Sequence, residues 1–107
     1  MGFNPQPTYS FTAVTGAYAA NPADVVLVTT GATAGLKVTL PTLTGCFSPV
    51  IVRKVDAGTG TVNVVTADGT TIDGVAGTTG ISTAGTAHTG FTFAPNVTSG
   101  NWNVVSA

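Results

Sequence analysis

Short runs of β-branched and aromatic residues, separated by Gly, Pro, Asn and Asp, recur about every ten residues along this chain. No segment shows the periodicity of an amphipathic helix. The predicted strands cover residues 8–14, 24–30, 36–40, 49–55, 61–66, 71–73, 89–94 and 101–105. This spacing is typical of sandwiches and jelly rolls, so the sequence predicts an all-β fold, an antiparallel β-sandwich or jelly-roll-like domain.

The chain begins with a segment that differs from the rest. Residues 1–7 contain two prolines and a glycine, which favour extended geometry and disfavour helix. We therefore expect an extended N-terminal arm over 1–7 and a single β domain over 8–107, since 107 residues fit one domain. The arm is either a frayed end or a strap laid across a neighbouring subunit. In the second case its candidate capsid or subunit contacts are Phe3, Asn4, Pro5, Gln6 and Pro7.

Apolar alternation along the strands predicts which faces are buried. Tyr9, Phe11 and Ala13 share one side of the first strand and are expected to face the core, as are Phe91 and Phe93. The runs 25–28 and 50–52 are apolar without interruption. Such runs are typical of strands covered on both sides, in the centre of a sheet or at a subunit interface.

The turns are also readable in the sequence. Residues 56–60 and 67–69 combine Asp with Gly, which predicts tight hairpin connections and makes 49–55 and 61–66 antiparallel neighbours. Residues 74–87 are rich in Gly, Ala, Thr and Ser, so we expect a long surface loop holding one weak strand at 80–83. No fixed repeat period is visible, and a solenoid is not expected.

Low charge limits the classes of partner. Only 7% of the residues are charged, against about 25% in ordinary domains, and Thr, Gly, Ser, Asn and Ala take their place. A surface of this kind favours an oligomer or a larger assembly. The three cations are Lys37, Arg53 and Lys54, too few to predict nucleic-acid binding. No membrane-spanning run or signal peptide is visible, which predicts synthesis in the cytoplasm and no membrane partner.

Residues that carry chemistry are scarce. The four carboxylates are all aspartates, and the interpretation favoured for Asp56 and Asp68 is capping of turn amides. The alternatives are a glycosidase-like pair of Asp68 with Asp73, calcium binding between these two residues, and a Cys46–His88 dyad. One Cys and one His cannot supply a zinc site. We therefore expect no enzyme activity, with no catalytic residue, no cofactor and no metal.

Aromatic side chains offer one further possibility, the stacking of a sugar. Trp102, Tyr9, Tyr18 or Phe47 would serve a carbohydrate-binding module if they were exposed on one face. The competing interpretation places them in the core of a small β domain. The two interpretations are separated by whether Trp102 and the two tyrosines are buried.

Several segments, taken in order, resemble a β module of bacteriophage tail fibres, head fibres and capsid decoration proteins. The likeness covers most of residues 24–107 and rests on 26–30 (VLVTT), 37–41 (KVTLP), 50–56 (VIVRKVD), 61–64 (TVNV), 71–74 (TIDG) and 100–105 (GNWNVV). The resemblance implies a β-sandwich or jelly-roll-like unit, usually trimeric.

Within that family, a chain of 107 residues with its own Met1 favours a free-standing subunit. The resemblance then implies a capsid decoration (cement) protein that binds the major capsid protein at capsomer junctions and stabilises the head. The expected location is the capsid surface of the virion, after synthesis in the host cytoplasm, and the expected state is a homotrimer. The alternative is a tail-fibre or head-fibre module that binds a host glycan or receptor.

Overall fold

The computed structural model describes residues 9–44, 48–83 and 89–106, which form strands, turns and bends and no helix. Within these ranges the strands are β1 (Ser10–Val14), β2 (Tyr18–Ala19), β3 (Asp24–Val28), β4 (Leu36–Leu40), β5 (Val50–Lys54), β6 (Val62–Thr66), β7 (Thr71–Ile72), β8 (Val75–Ala76), β9 (Ile81–Ser82), β10 (Gly90–Asn96) and β11 (Asn101–Ser106). The predicted all-β character is confirmed. The predicted arm over 1–7 lies outside the described residues.

The strands form two sheets. The larger sheet has seven strands in the order β1-β3-β5-β10-β11-β7-β8, and the smaller has four in the order β2-β4-β6-β9. Consecutive strands from β1 to β6 alternate between the two sheets, and their neighbours within each sheet are parallel. Parallel neighbours need a long crossover connection, and here the strand of the opposite sheet supplies it. The chain therefore winds in stacked coils.

Two of these coils are in register over their whole length. The first consists of β3 and β4 (residues 24–40), and the second consists of β5 and β6 (residues 50–66). Val25 pairs with Ile51 in one sheet and Leu36 pairs with Val62 in the other, a separation of 26 residues in both cases. The sequence shows no repeat period here, because the correspondence is one of backbone course and inward positions rather than of residue identity.

The antiparallel part of the predicted fold involves strands from the second half of the chain. Strand β10 is antiparallel to β5 and β11, β9 to β6, and β8 to β7. The predicted hairpin of 49–55 with 61–66 was wrong, since β5 and β6 lie in different sheets. Asp and Gly favour a tight turn both in a hairpin and at the corner of a coil. The turn residues alone therefore do not show whether the two flanking strands pair with each other.

The inner sides of both sheets share one hydrophobic core. Its buried members are Ala20, Val26, Val28, Leu36, Val38, Leu40, Leu43, Val50, Val52, Val62, Val64, Ile72, Phe93 and Trp102. Within each strand these residues recur at every second position, because successive side chains of a strand point to opposite faces. Burial of each large apolar side chain contributes about 1.5 to 3 kcal/mol relative to exposure.

The first strand has the opposite orientation to the one predicted. Phe11 is 72% exposed and Ala13 is also exposed, whereas Val14 packs against the core. Alternation defines the two faces of a strand but does not say which of them is covered, and the polar residues of β1 proved to be on the inner side. The prediction for β10 is confirmed, because Phe93 is buried and Phe91 packs on the same core.

The Gly-rich region after β7 contains more structure than a loop. Strand β8 pairs with β7, and β9 pairs with β6, so the weak strand expected at 80–83 is confirmed at Ile81–Ser82. Strand β7 ends in a bend at Asp73 and Gly74, which both have positive φ. In the described ranges, no helix is long and apolar enough to cross a membrane.

Candidate functional site

The predicted contact residues of the arm, Phe3, Asn4, Pro5, Gln6 and Pro7, lie outside the described residues. Cys46 and His88 also lie outside them, so the dyad they would form stays a prediction. The four aspartates are all described. Their surroundings decide what the carboxylates of this chain do.

Asp56 caps the turn of the preceding coil. Its carboxylate accepts hydrogen bonds from the amides of Thr30 and Gly31, each at 3.0 Å, from the Thr30 hydroxyl at 3.1 Å and from the amide of Gly58 at 3.2 Å. The amide of Thr30, followed by these other donors, holds the pKa of Asp56 far below its usual range, because every donor favours the charged form. The charged carboxylate therefore links the turn that follows β5 to the turn that follows β3.

Lys54 is the cation that lies beside the Asp56 carboxylate, and it is fully buried on the inner side of β5. Its Nζ donates to the carbonyl oxygens of Asp56 at 2.7 Å and Gly58 at 2.6 Å, and lies 3.4 Å from the Asp56 carboxylate. Lysine is almost never fully buried unless it is paired. The sequence carried no signal for this burial, and the chain uses Lys54 to close the corner between β5 and β6.

Asp24 and Asp68 hold two other turns. Asp24 is buried and accepts from the hydroxyls of Thr12 and Tyr18 at 3.0 and 2.7 Å. Asp68 accepts from the amide of Leu43 at 2.8 Å and from the hydroxyl of Thr70 at 2.7 Å. Partial burial raises the pKa of Asp68, but these hydrogen bonds outweigh it and lower the pKa overall. The capping role predicted for Asp56 and Asp68 is confirmed.

Asp73 is also bonded to backbone, since its carboxylate accepts from the amide of Val104 at 3.0 Å. Asp68 and Asp73 are thus each engaged by different backbone segments. Among the described residues, no group of three or more His, Cys, Asp or Glu side chains is placed to hold a metal ion.

Trp102 lies in the core and is fully buried. It therefore offers no ring surface on which a sugar could stack. Its Nε1 has no hydrogen-bond partner among the described residues, which makes it an exception to the general pairing of buried polar groups. Tyr18 is half-buried with its hydroxyl on Asp24, and Phe47 lies outside the described residues.

The outer side of the seven-stranded sheet carries apolar residues on five neighbouring strands. We call this surface the apolar face. Strand register and alternation assign to it Phe11, Ala13, Val25, Leu27, Ile51, Ala94 and Val105, with the neutral polar residues Thr92 and Asn103 among them. Phe11 and Val105, 72% and 61% exposed, are on its two outermost strands. A shallow groove continues from Val105 to Val97, which is also exposed.

The outer side of the four-stranded sheet is different. We call it the polar face, and its outward residues are Ala19, Lys37, Thr39, Asn63, Val65 and Ser82. Val65 is the large apolar member of this set and is buried. Asn63 and Ser82 share a hydrogen bond of 3.2 Å across the β6–β9 pair. The polar face therefore presents mainly small and polar side chains to water. The apolar face exposes Phe11 and Val105 at its two sides, with Leu27 and Ile51 half-buried and Val25 buried between them.

The apolar face was partly visible in the sequence. The uninterrupted apolar runs 25–28 and 50–52 predicted strands covered on both sides, and their outward members Val25, Leu27 and Ile51 form the middle of this face. Phe11 was expected in the core, so its contribution was missed.

Comparison with known proteins finds no match for this chain among protein families, curated proteins or solved structures.

Proposed function

We propose that this chain is a structural subunit of a bacteriophage particle, a capsid decoration (cement) protein that binds at capsomer junctions and stabilises the head. The observation that carries the proposal is the contrast between the two outer faces. Large contiguous apolar patches on a soluble chain mark surfaces that another protein covers. A subunit whose work is attachment needs such a surface and needs no catalytic group.

The use made of the ionisable groups supports the same proposal. All four aspartates accept hydrogen bonds that fix turns or strands, and Lys54 is held inside the corner of the second coil. Carboxylates committed to backbone amides are poor general acids or bases, because proton transfer would disrupt those bonds. Well-bonded corners and few free charges suit a subunit that reinforces a shell.

In this proposal the major capsid protein is the partner, the functional unit is a homotrimer, and the site of action is the outer surface of the virion. The all-β architecture, with two sheets around one core, is compatible with the phage module that the sequence resembles. The three cations of the chain are too few to hold nucleic acid, and two of them, Lys37 and Arg53, lie on different faces.

The proposal is tested by adding the purified protein to heads of the encoding phage that lack it and measuring co-sedimentation. Two variants introduce the same charge on opposite faces: Val105→Asp on the apolar face and Asn63→Asp on the polar face. We expect saturable binding of the wild type, binding weakened by at least about tenfold for Val105→Asp, and unchanged binding for Asn63→Asp. Absence of wild-type binding would overturn the cement role.

The stacking of parallel coils favours one second candidate, a tail-fibre or head-fibre module. Coils that repeat in register build elongated structures, since each coil contacts only its neighbours. In this role the chain would bind a host glycan or receptor, and among the described residues Phe11 offers an exposed ring for stacking. Binding of host surface glycans that is lost in Phe11→Ala, with no binding to heads, would favour this candidate over the first.

A further inference from the structure

We infer that the apolar face is the contact between copies of this chain, and that the β1 side of one copy packs against the β11 side of the next. This inference rests on the proposed function, because it names the surface through which that subunit would oligomerise. It commits to a second copy of this chain as the partner that covers the face.

The distribution of exposed apolar side chains is the first argument. Among the described residues, the large hydrophobic side chains that remain exposed are Phe11, Val97 and Val105, and all three lie on the apolar face or on the groove beside it. Scattered single residues of this kind would need no explanation, but their collection on one side of the molecule does. The described part of the polar face has none.

Charge is the second argument. Within the described ranges, Arg53 is the one ionic side chain that strand register assigns to the apolar face, and it lies in the end row opposite Gly90. The carboxylates of this chain are all engaged elsewhere. A strongly charged partner would find little to pair with on this face. A second copy, with only 7% charged residues, would cover the uncharged part of the face and leave Arg53 in contact with water at the end row.

Area is the third argument. The apolar face spans five strands, β1, β3, β5, β10 and β11. Strand spacing of about 4.8 Å and a rise of about 3.3 Å per residue give it a plane of about 400 Å². Specific interfaces bury about 800 Å² of accessible surface on each partner, and weak ones bury less. Because the β1 side and the β11 side each serve a different neighbour, each contact uses only part of this plane. Each contact is therefore small and reversible, and closing a ring of copies would strengthen it.

The position of the two anchors sets the direction of the contact. Phe11 is on β1, the edge strand, and Val105 is four strands away on β11, at a bulge where β11 carries an extra residue. Anchors about 19 Å apart lie on opposite sides of the face, which leaves room for each of them to contact a different neighbour. In a closed ring each copy then offers Phe11 to one neighbour and the Val105 groove to the other, which is a head-to-tail contact.

The test is sedimentation equilibrium of the full chain at micromolar concentrations. Phe11→Asp is the disrupting variant, and Thr39→Asp, outward on the central part of the polar face, is its matched control. We expect the wild type and Thr39→Asp to associate equally, and Phe11→Asp to associate at least about tenfold more weakly. A monomeric wild type, or equal weakening by both variants, would overturn the inference.

Two further measurements keep the result interpretable. Phe11→Ser removes the ring without adding charge, so loss of association in Phe11→Ser with an unchanged circular dichroism spectrum separates interface loss from misfolding. Mixing Phe11→Asp with Val105→Asp leaves one intact junction per pair, so a head-to-tail contact predicts heterodimers; a mixture that stays monomeric contradicts it. Wild type that binds phage heads as a monomer would overturn this inference and the homotrimer but leave the cement role standing. An assembling wild type that does not bind heads would overturn the cement role and leave this inference standing.

Discussion

The two coils follow the same course with different residues, and this difference shows how the fold is held together. Val28 of the first coil pairs with Lys54 of the second, and both side chains are fully buried. The first is an ordinary core residue. The second needs two carbonyl oxygens and a carboxylate around its ammonium group. The backbone of the coil therefore determines which positions point inward, but an inward position can hold either an apolar or a charged side chain.

The turns of the two coils differ in the same way. Gly31 and Gly35 in the first turn have positive φ and open space where a Cβ would be. Gly58 and Gly60 in the second turn lie against the first, where a Cβ would collide with the carbonyl oxygens of Gly31 and Thr33. The first turn needs glycine for its conformation and the second for close approach. The second coil is thus built onto the first.

The largest effect is expected where the coils differ most, at the buried pair. Lys54→Ala should lower the free energy of unfolding by about 2 to 5 kcal/mol, because it leaves a cavity and strips the carbonyl oxygens of Asp56 and Gly58 of their donor. Val28→Ala should cost less, about 2 kcal/mol, because only apolar contacts are lost. Urea unfolding of both variants measures the difference. Equal losses would mean that Lys54 acts only as packing.

Close approach of the turns is tested by Gly58→Ala. We expect a loss of about 1 to 3 kcal/mol, because the methyl group forces the second turn away from the first. Gly16→Ala is the matched control, since no atom lies within 4 Å of the place its methyl group would take and its φ is not positive. The control should unfold at the wild-type denaturant concentration or slightly above it. A tolerated Gly58→Ala would contradict the stacking of the turns.

Conformation of the first turn is tested by Gly31→Ala, with a smaller expected loss of about 1 to 2 kcal/mol from the left-handed backbone. Gly31→Asn should recover part of that loss, because Asn tolerates this conformation better. Thermal unfolding of the two variants gives the comparison. If Ala and Asn proved equal there, the cost would come from contacts rather than from φ.

Acid dependence is expected to be the mildest effect, because the Asp56 side chain keeps 22% exposure. The folded pKa of Asp56 lies below that of the unfolded chain, so its stabilisation is complete above about pH 4 and declines as pH falls further. Asp56→Asn should flatten this decline, which unfolding midpoints measured from pH 6 downward would show. If the unfolding midpoint fell with pH equally steeply in wild type and variant, Asp56 would not contribute to the acid dependence of stability.

The sequence predicts the strands of this fold well and their pairing poorly. Each of the eight predicted strands overlaps an observed one, because β-branched runs and Gly or Pro boundaries are local signals. Strands β2 and β8, of two residues each, are too short to leave such a signal. The 26-residue register was hidden since equivalent positions such as Thr30 and Asp56 share a place in the coil but not a residue type.

The candidate surface was only half visible for a related reason. The uninterrupted apolar runs predicted that the outer sides of the strands holding Val25 and Ile51 are covered. The outward direction of Phe11, in contrast, depends on which side of β1 packs against the second sheet. That choice is made by tertiary packing. The burial of Lys54 depends on carbonyl oxygens that only the folded corner brings together.

The most direct test of the proposed role is electron cryo-microscopy of phage heads lacking this protein, imaged with and without the purified chain. We predict regular added density at capsomer junctions, with the apolar face turned toward neighbouring copies and absent density for Val105→Asp. Heads that show no added density at saturating wild-type protein would contradict the account.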